Sequence, residues 1–389
     1  MQQICNYIEC TGCGACEQIC AHKAISMQLN DEGFYYPAID QNTCVDCGLC
    51  AKVCPNNAFV QKFEPIPYLA WIKDSTIRSK SSSGGIFSAI ASEIISRGGI
   101  VCGAAYDEDM TVRHMVVESE EGLVKLRGSK YTQSIIGDVY SRIKEVLKAD
   151  RWAYFVGTPC QVSGLRNFLR KDYAKLICSD LICHGVPSGE LLKEQIHALE
   201  KKYNSKIENF DFRAKLRMGQ TQDVAITLRK QGETQDVTTK YLNFETLPYT
   251  YGFRTNLAIR ENCFACKYAT YERTGDVTLA DFWNVKKFFP EVKRSPGCSL
   301  ILVSTEKGKQ ILDAIAGRIV LKETTKDAAI SGQAQLQSPT WRPAIRDDYK
   351  NYKDFDKYCM THLRVPLAYK IKKKLANLAK IVTLFKYRY

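Results

Sequence analysis

No run of about 18 apolar residues occurs in the 389-residue chain, so no segment is expected to cross a bilayer as a helix. The opening residues, "MQQICNYIEC", lack a basic stretch leading into an apolar core, which argues against a signal peptide. The net charge is +13, yet no recognisable nucleic-acid motif carries it. Eight Lys or Arg and no acid lie between Arg364 and Tyr389, and the rest of the chain is only mildly basic. A nucleic-acid partner is therefore not expected. The seventeen cysteines cluster at two-residue gaps, a spacing suited to metal ligation more than to cross-linking distant segments. A reduced, cytoplasmic chain of two or three units is the expectation.

Cys10, Cys13, Cys16 and Cys20 follow C-x2-C-x2-C-x3-C, and Cys44, Cys47, Cys50 and Cys54 repeat it 34 residues later with Pro55 behind. This is the spacing of a bacterial ferredoxin with two [4Fe–4S] clusters. Three thiolates at two-residue gaps wrap one face of a cube, and the fourth reaches the other cube. Cys54 should complete the set of Cys10, Cys13 and Cys16, while Cys20 completes that of Cys44, Cys47 and Cys50. A zinc ribbon is the alternative, but zinc sites usually use two separated C-x2-C pairs. Ala21 departs from the pattern, since proline commonly follows the fourth cysteine. Prolines in "KFEPIPYLAW" (62–71) mark a linker after this unit.

Beyond the linker, strands and helices alternate. "SSSGGIFSAIASEIISRGG" (81–99) is a Ser/Gly turn entering a helix, either a phosphate-binding N-terminus or an ordinary N-cap. "WAYFVGTPCQVSGLRNFL" (152–169) and "KLICSDLICHGVPSGELLKEQI" (175–196) each read as an apolar strand, a turn and a helix. These begin their helices near Gln161 and Ser188. Cys160 and Cys183 fall where the strands end, the edge that lines the ligand crevice of an open α/β sheet. Cys263 and Cys266 add a C-x2-C pair. Together the four supply enough thiolates for a third [4Fe–4S] cube. The alternative makes Cys160 a catalytic thiol with His184 as its base. Cys102 and Cys178 lie in apolar runs and are expected in the core; Cys298 follows a Pro-Gly turn; Cys5 and Cys359 have no assignment.

"SSSGGIFSA", "GSKYTQS" (128–134), "GTPCQVSGL" (157–165), "CHGVPS" (183–188) and "CFACKY...GDVTLADFW" (263–283) resemble the coenzyme F420 hydrogenase/dehydrogenase beta-subunit family. The resemblance runs from about residue 75 to 340 and implies an FAD-binding α/β domain with its own [4Fe–4S] cluster. It places Ser82, Ser83, Gly84 and Gly85 at the flavin-phosphate turn. Ser129, Lys130 and Tyr131, with Gly157, Thr158 and Pro159, fall in segments around the flavin. Cys160, Cys183, Cys263 and Cys266 fall at the cluster. Asn284 stands where the family tends to show glycine after the tryptophan. The implied fold is an α+β ferredoxin unit (1–61), a linker (62–75), an α/β oxidoreductase domain (76–340) and a basic helical tail (341–389).

The implied activity passes electrons from reduced ferredoxin, or another low-potential donor, through the clusters to FAD and on to an organic acceptor. Its rivals are a non-catalytic electron-transfer subunit and an iron–sulfur sensing protein without turnover. In the tail, Leu367, Ile371, Leu375, Leu378, Val382 and Phe385 form one helical stripe among basic residues. Such a helix either docks on the protein or lies on an anionic membrane surface.

Overall fold

The computed structural model describes residues 3–215, 223–230, 237–293, 295–344, 346, 354–371 and 375. Near the N-terminus, two one-turn helices, α1 (Ala15–Ile19) and α2 (Leu49–Val53), flank an antiparallel hairpin of β1 (Ile25–Leu29) and β2 (Tyr35–Ile39). Gly14 and Gly48 precede the two helices in the left-handed region, at φ 73° and 71°. A side chain there would be strained. Buried apolar residues in this unit are few, and its cluster of Ile4 and Ile25 is completed by Cys16, Cys50 and Cys54. Apolar burial within this unit is therefore small.

The rest is built on a mixed eight-stranded sheet. In chain order its elements begin with β3 (Ile66–Ile72), α3 (Ser75–Ser79), α4 (Ile86–Ser96), β4 (Ile100–Tyr106) and β5 (Val112–Val117). Next come α5 (Glu120–Leu126), α6 (Val139–Lys148), β6 (Ala153–Val156), α7 (Pro159–Leu169), β7 (Leu176–Leu181) and α8 (Gly189–Tyr203). A separate antiparallel sheet of β8 (Ser205–Ala214), β9 (Asp223–Lys230) and β10 (Val237–Asn243) follows. Strands β11 (Val277–Asp281), β12 (Ser299–Val303) and β13 (Ile319–Glu323) return to the main sheet. The order is β13-β3-β12-β11-β7-β6-β4-β5. The four strands β11, β7, β6 and β4 run parallel, and the outer pairings are antiparallel.

The parallel strands are short apolar runs because helices cover both faces. Ile86, Ile90 and Ile94 of α4 pack on one face with Tyr154 and Ile177; Tyr140, Ile143, Val162 and Leu165 from α6 and α7 pack on the other with Phe155 and Cys178. Cys102 and Cys178 are core residues. Helix α7 starts at Pro159, two residues before the expected position, because Thr158 and Gln161 form a capping box.

The linker assignment needs correction. Residues 66–72 form β3, an interior strand between β12 and β13. Pro67 sits near its start, where the carbonyl still accepts from Thr324 N–H at 3.0 Å. Proline tolerates such a position because only its donor is missing. In the tail, a helix at Phe355–Thr361 buries Phe355 and Tyr358, and Leu363 and Val365 are buried beyond it. Leu367, Ile371 and Leu375 are exposed, so the described part of the apolar stripe does not dock. Leu378, Val382 and Phe385 lie outside the described residues. Among the described residues, no helix is long and apolar enough to cross a membrane.

The end of β7 is fixed by a buried ion pair. Asp180, wholly buried, lies 3.3 Å from Arg273 and accepts from Thr278, Thr274 and Gly275. Arg273 in turn donates to the carbonyls of Leu181, Thr270 and Tyr268. Removing one partner of a buried pair leaves an uncompensated charge. Asp180→Ala should therefore destabilise the protein by about 3–5 kcal/mol, measured as a lowered urea midpoint at constant cluster loading.

Candidate redox site

The twelve cysteines singled out above gather into three places. Cys10, Cys13, Cys16 and Cys54 line one small cavity, with Cys5 beside them. Cys20, Cys44, Cys47 and Cys50 line another. Cys54 thus stands with the first three cysteines and Cys20 with the later three. Cys47 is exposed, and the first set lies deeper. Cys160, Cys183, Cys263 and Cys266 line a third cavity with Tyr268 and Thr158. Among the described residues, no three metal-binding side chains stand close enough to share a single ion.

Each thiol of the third set comes from a separate constraint. Cys160 lies in the first turn of α7, and Cys183 follows β7 by two residues. Cys263 and Cys266 lie in and just after a short 3-10 turn, where Cys263 N–H donates to Arg260 O at 3.0 Å. Burial raises the Cys160 thiol well above its usual range and pushes Cys183 and Cys263 up to about 12. Burial thus opposes ionisation of an isolated Cys160, which disfavours the activated thiol. His184 does not serve it either: its Nε2 meets Asn256 Oδ1 at 2.8 Å and its Nδ1 meets the Gln335 amide at 3.2 Å.

Helix α7 packs against the loop of the first set. A side chain added at Gly164 of α7 would begin 3.0 Å from the Cys13 sulfur. The Tyr140 hydroxyl, fully buried, bridges the carbonyls of Cys13 (2.9 Å) and Gln161 (2.8 Å). On its other side, the third cavity shares Thr158, Cys183, His184, Gly185, Val186 and Gln335 with a much larger one.

That larger cavity encloses about 480 Å³ and opens at the carboxyl ends of the parallel strands. This is the crevice where open α/β sheets bind ligands, and its size lies within the range of small-molecule sites. Ser82, Ser83, Gly85, Ser129, Lys130, Tyr131, Gly157 and Thr158 line it; Gly84 and Pro159 do not. Gly84 N–H bonds to Ser299 Oγ at 2.9 Å, and a Cβ there would meet the Ala70 carbonyl at 2.5 Å. Gly84 thus serves the packing of the turn on β3 and β12. Pro159 lines the third thiol cavity instead. Gly85 caps α4 at φ 87° with no side-chain acceptor, so the first N–H groups of an eleven-residue helix stay available to an anion.

Around this rim the polar groups are interlocked. Ser82 Oγ accepts from Ser129 N–H at 2.8 Å and pairs with Ser129 Oγ at 3.0 Å. Arg213 donates to Tyr131 Oη (2.9 Å) and Asp281 (2.8 Å), with its guanidinium 5.4 Å from the Trp283 ring centre. Tyr131 stacks on Phe253 at 5.0 Å. Sequence reasoning did not single out Arg213, His114 or Gln161. His114 is buried between Val156 O and Ser134 Oγ, at 3.0 Å each, and burial lowers its pKa to about 4. Only the side-chain geometry joins residues so far apart in the chain. Asn284 caps a short turn and donates to Ser331 Oγ at 2.9 Å.

Residues 67–139 match the family model for the N-terminal part of the beta subunit of coenzyme F420 hydrogenase/dehydrogenase, and residues 150–328 match the model for the C terminus of that same beta subunit. Residues 9–58 match a 4Fe-4S dicluster domain. Among solved structures, the chain is similar to one from the F420-reducing [NiFe] hydrogenase complex of Methanosarcina barkeri, studied as a xenon derivative. The identity is 17%, with 78% of this chain and 95% of that chain covered at a TM-score of 0.45. No curated protein matches the chain.

Three sets of four thiolates correspond to about twelve irons per chain when each holds a cube. Replacing Cys263 and Cys266 together with serine should leave about eight, with the dicluster EPR signals intact. Iron analysis of the anaerobically reconstituted protein checks this, and a wild-type value near eight would remove the third cluster.

Proposed function

The chain belongs to the coenzyme F420 hydrogenase/dehydrogenase beta-subunit family, behind a 4Fe-4S dicluster domain, and on that premise we propose that it is an iron–sulfur flavoprotein oxidoreductase. Its electrons come from a low-potential donor such as reduced ferredoxin, and its acceptor is organic. When bound, the clusters carry single electrons and FAD exchanges them for the pair that an organic acceptor takes. The reading is carried by one observation: the third thiol cavity touches the dicluster loop on one side and shares its wall with the 480 Å³ cavity on the other. The outer set, with Cys47 at the surface, faces the donor.

The residues around the large cavity suit FAD. The uncapped start of α4 offers N–H groups to a phosphate. Phe87, Phe244, Phe253 and Trp283 supply apolar wall, while Thr158 and Gln335 lie where the cavity meets the thiol set. A cavity of this size on the chain itself favours turnover over the role of a mere electron relay. Anaerobic purification with iron, sulfide and flavin quantified, followed by turnover with reduced ferredoxin and candidate acceptors, tests the reading. A chain with full clusters and no flavin under any reconstitution would reject it.

Lys130 adds a pH dependence. Its Nζ donates to the carbonyls of Lys125 and Arg127, both at 2.9 Å, and burial lowers its pKa to about 7, with Asp211 opposing the shift. A neutral amine has two N–H groups, which match those two carbonyls; protonation adds a third donor and a charge. Because the folded pKa is depressed, the charge is present only below about pH 7. Binding of a phosphate-bearing ligand should tighten as pH falls through that value. The Kd of FAD should drop about tenfold between pH 8 and pH 6, the change expected for one linked proton. Lys130→Met should flatten the profile, as followed by flavin fluorescence.

A further inference from the structure

Arg260 is wholly buried, and its Nη2 is among the buried side-chain atoms with no hydrogen-bond partner. Its backbone belongs to the third thiol set. The N–H donates to Val186 O at 3.0 Å, three residues past Cys183, and the carbonyl accepts from Cys263 N–H. Its side chain belongs to the dicluster domain. Nε donates to Cys10 O and Nη1 to Tyr35 O, each at 3.0 Å. The guanidinium lies 3.8 Å from the Tyr36 ring centre and 5.5 Å from that of Phe34. Its Cζ is 3.5 Å from where a Cβ on Gly12 would stand, and at φ +68° that glycine leaves the space open.

These partners are carbonyls and rings, and the titratable group facing the guanidinium is the Cys10 thiol, a member of the first set. Holding a cation in the interior without a carboxylate partner is costly. Four thiolates around a [4Fe–4S] core leave net negative charge, increased by one electron on reduction. A cation held beside the Cys10 loop offsets that charge, and offsets it more in the reduced form. Hydrogen bonds and charge near the sulfurs are among the factors that set cluster potential.

We propose that Arg260 is an electrostatic positioning residue that raises the reduction potential of the cluster at Cys10, Cys13, Cys16 and Cys54 above that of the outer cluster at Cys20, Cys44, Cys47 and Cys50. The proposal rests on the cluster assignment made above. The transfer it favours moves one electron, oxidising the outer cluster and reducing the inner one, with no bond made or broken. One residue thus joins the third set's backbone to the first set's loop.

The test is a redox titration of the full-length, reconstituted protein followed by EPR, with iron counted in each sample. In Arg260→Gln the inner cluster should become harder to reduce, its oxidised-to-reduced ratio at fixed potential rising about tenfold, or 59 mV for a one-electron couple. Arg260→Lys, which keeps the charge, should recover most of the shift, and the outer cluster should stay fixed throughout. Gln133→Glu is the second variant. The Gln133 amide abuts Gly12, as the guanidinium does, and its Oε1 accepts from Tyr35 N–H at 3.0 Å. A carboxylate there keeps the acceptor, neutralises Arg260 in place and should lower the same potential, so it decides the matter if Arg260→Gln does not accumulate. An unchanged inner potential in either fully loaded variant overturns the proposal, as does an equal shift of all clusters. A wild-type iron count lacking the inner cluster defeats the assignment itself, and the proposal with it, by a different reading.

Discussion

The hydroxyl of Tyr140 stands between the carbonyls of Cys13 and Gln161, and the arrangement of the redox site depends on that bridge. One carbonyl belongs to a ligand loop of the dicluster domain. The other belongs to the first turn of α7, the helix that carries Cys160. Gly164, one turn further along α7, leaves room for the Cys13 sulfur. Gln18 of the dicluster domain also accepts from Ser141 N–H at 3.0 Å, next to the bridging tyrosine. The two cysteine systems thus meet through packed backbone, and a side chain at 164 would force them apart.

The same helix also faces the larger cavity. Gln161 closes the capping box with Thr158 and donates to Ser134 Oγ, which meets His114. The start of α7 is thereby tied to the strand pair β4–β5 as well as to β6. Farther along the edge, Asp180 and Arg273 fix the segment between Cys266 and β11, while Asp276 receives Arg166 of α7 at 3.1 Å. Ionic groups so deeply buried tolerate little displacement, because a partner moved away leaves its charge unsolvated. The thiols of the third set therefore sit on elements that are each held by a separate polar lock.

How much of this is legible in the sequence depends on whether the signal is local. The grouping of the dicluster cysteines is, because two runs of closely spaced thiols announce it and the ferredoxin pattern places Cys54 with the first set. Cys160 and Cys183 are legible for a different reason, since apolar strands followed by turns place them at one sheet edge. Prolines in residues 62–71 mislead: a turn signal there conceals an interior strand that is largely buried. Gly84 reads as part of a phosphate turn, yet its missing side chain serves the Ala70 carbonyl. Arg260, His114 and Arg213 carry no local pattern. Their importance comes from partners as much as 250 residues away, as with Arg260 and Cys10, and no periodicity encodes such a distance.

Charge separates along the chain in a way that explains how the dicluster domain is held. Residues 1–61 contain two lysines, no arginine and six acidic residues, while the whole chain is at +13. The body meets this acidic unit with cations. Arg346 reaches Glu32 at 3.1 Å, Lys267 donates to Pro55 O, and Arg260 occupies the Cys10 loop. Two of the three bind backbone carbonyls, and both arginines are almost wholly buried. Salt screens exposed pairs far more than buried ones. Ionic strength should therefore weaken this internal contact only a little. The acidic unit is accordingly a built-in part of the molecule, held by cations that reach it from the body of the chain.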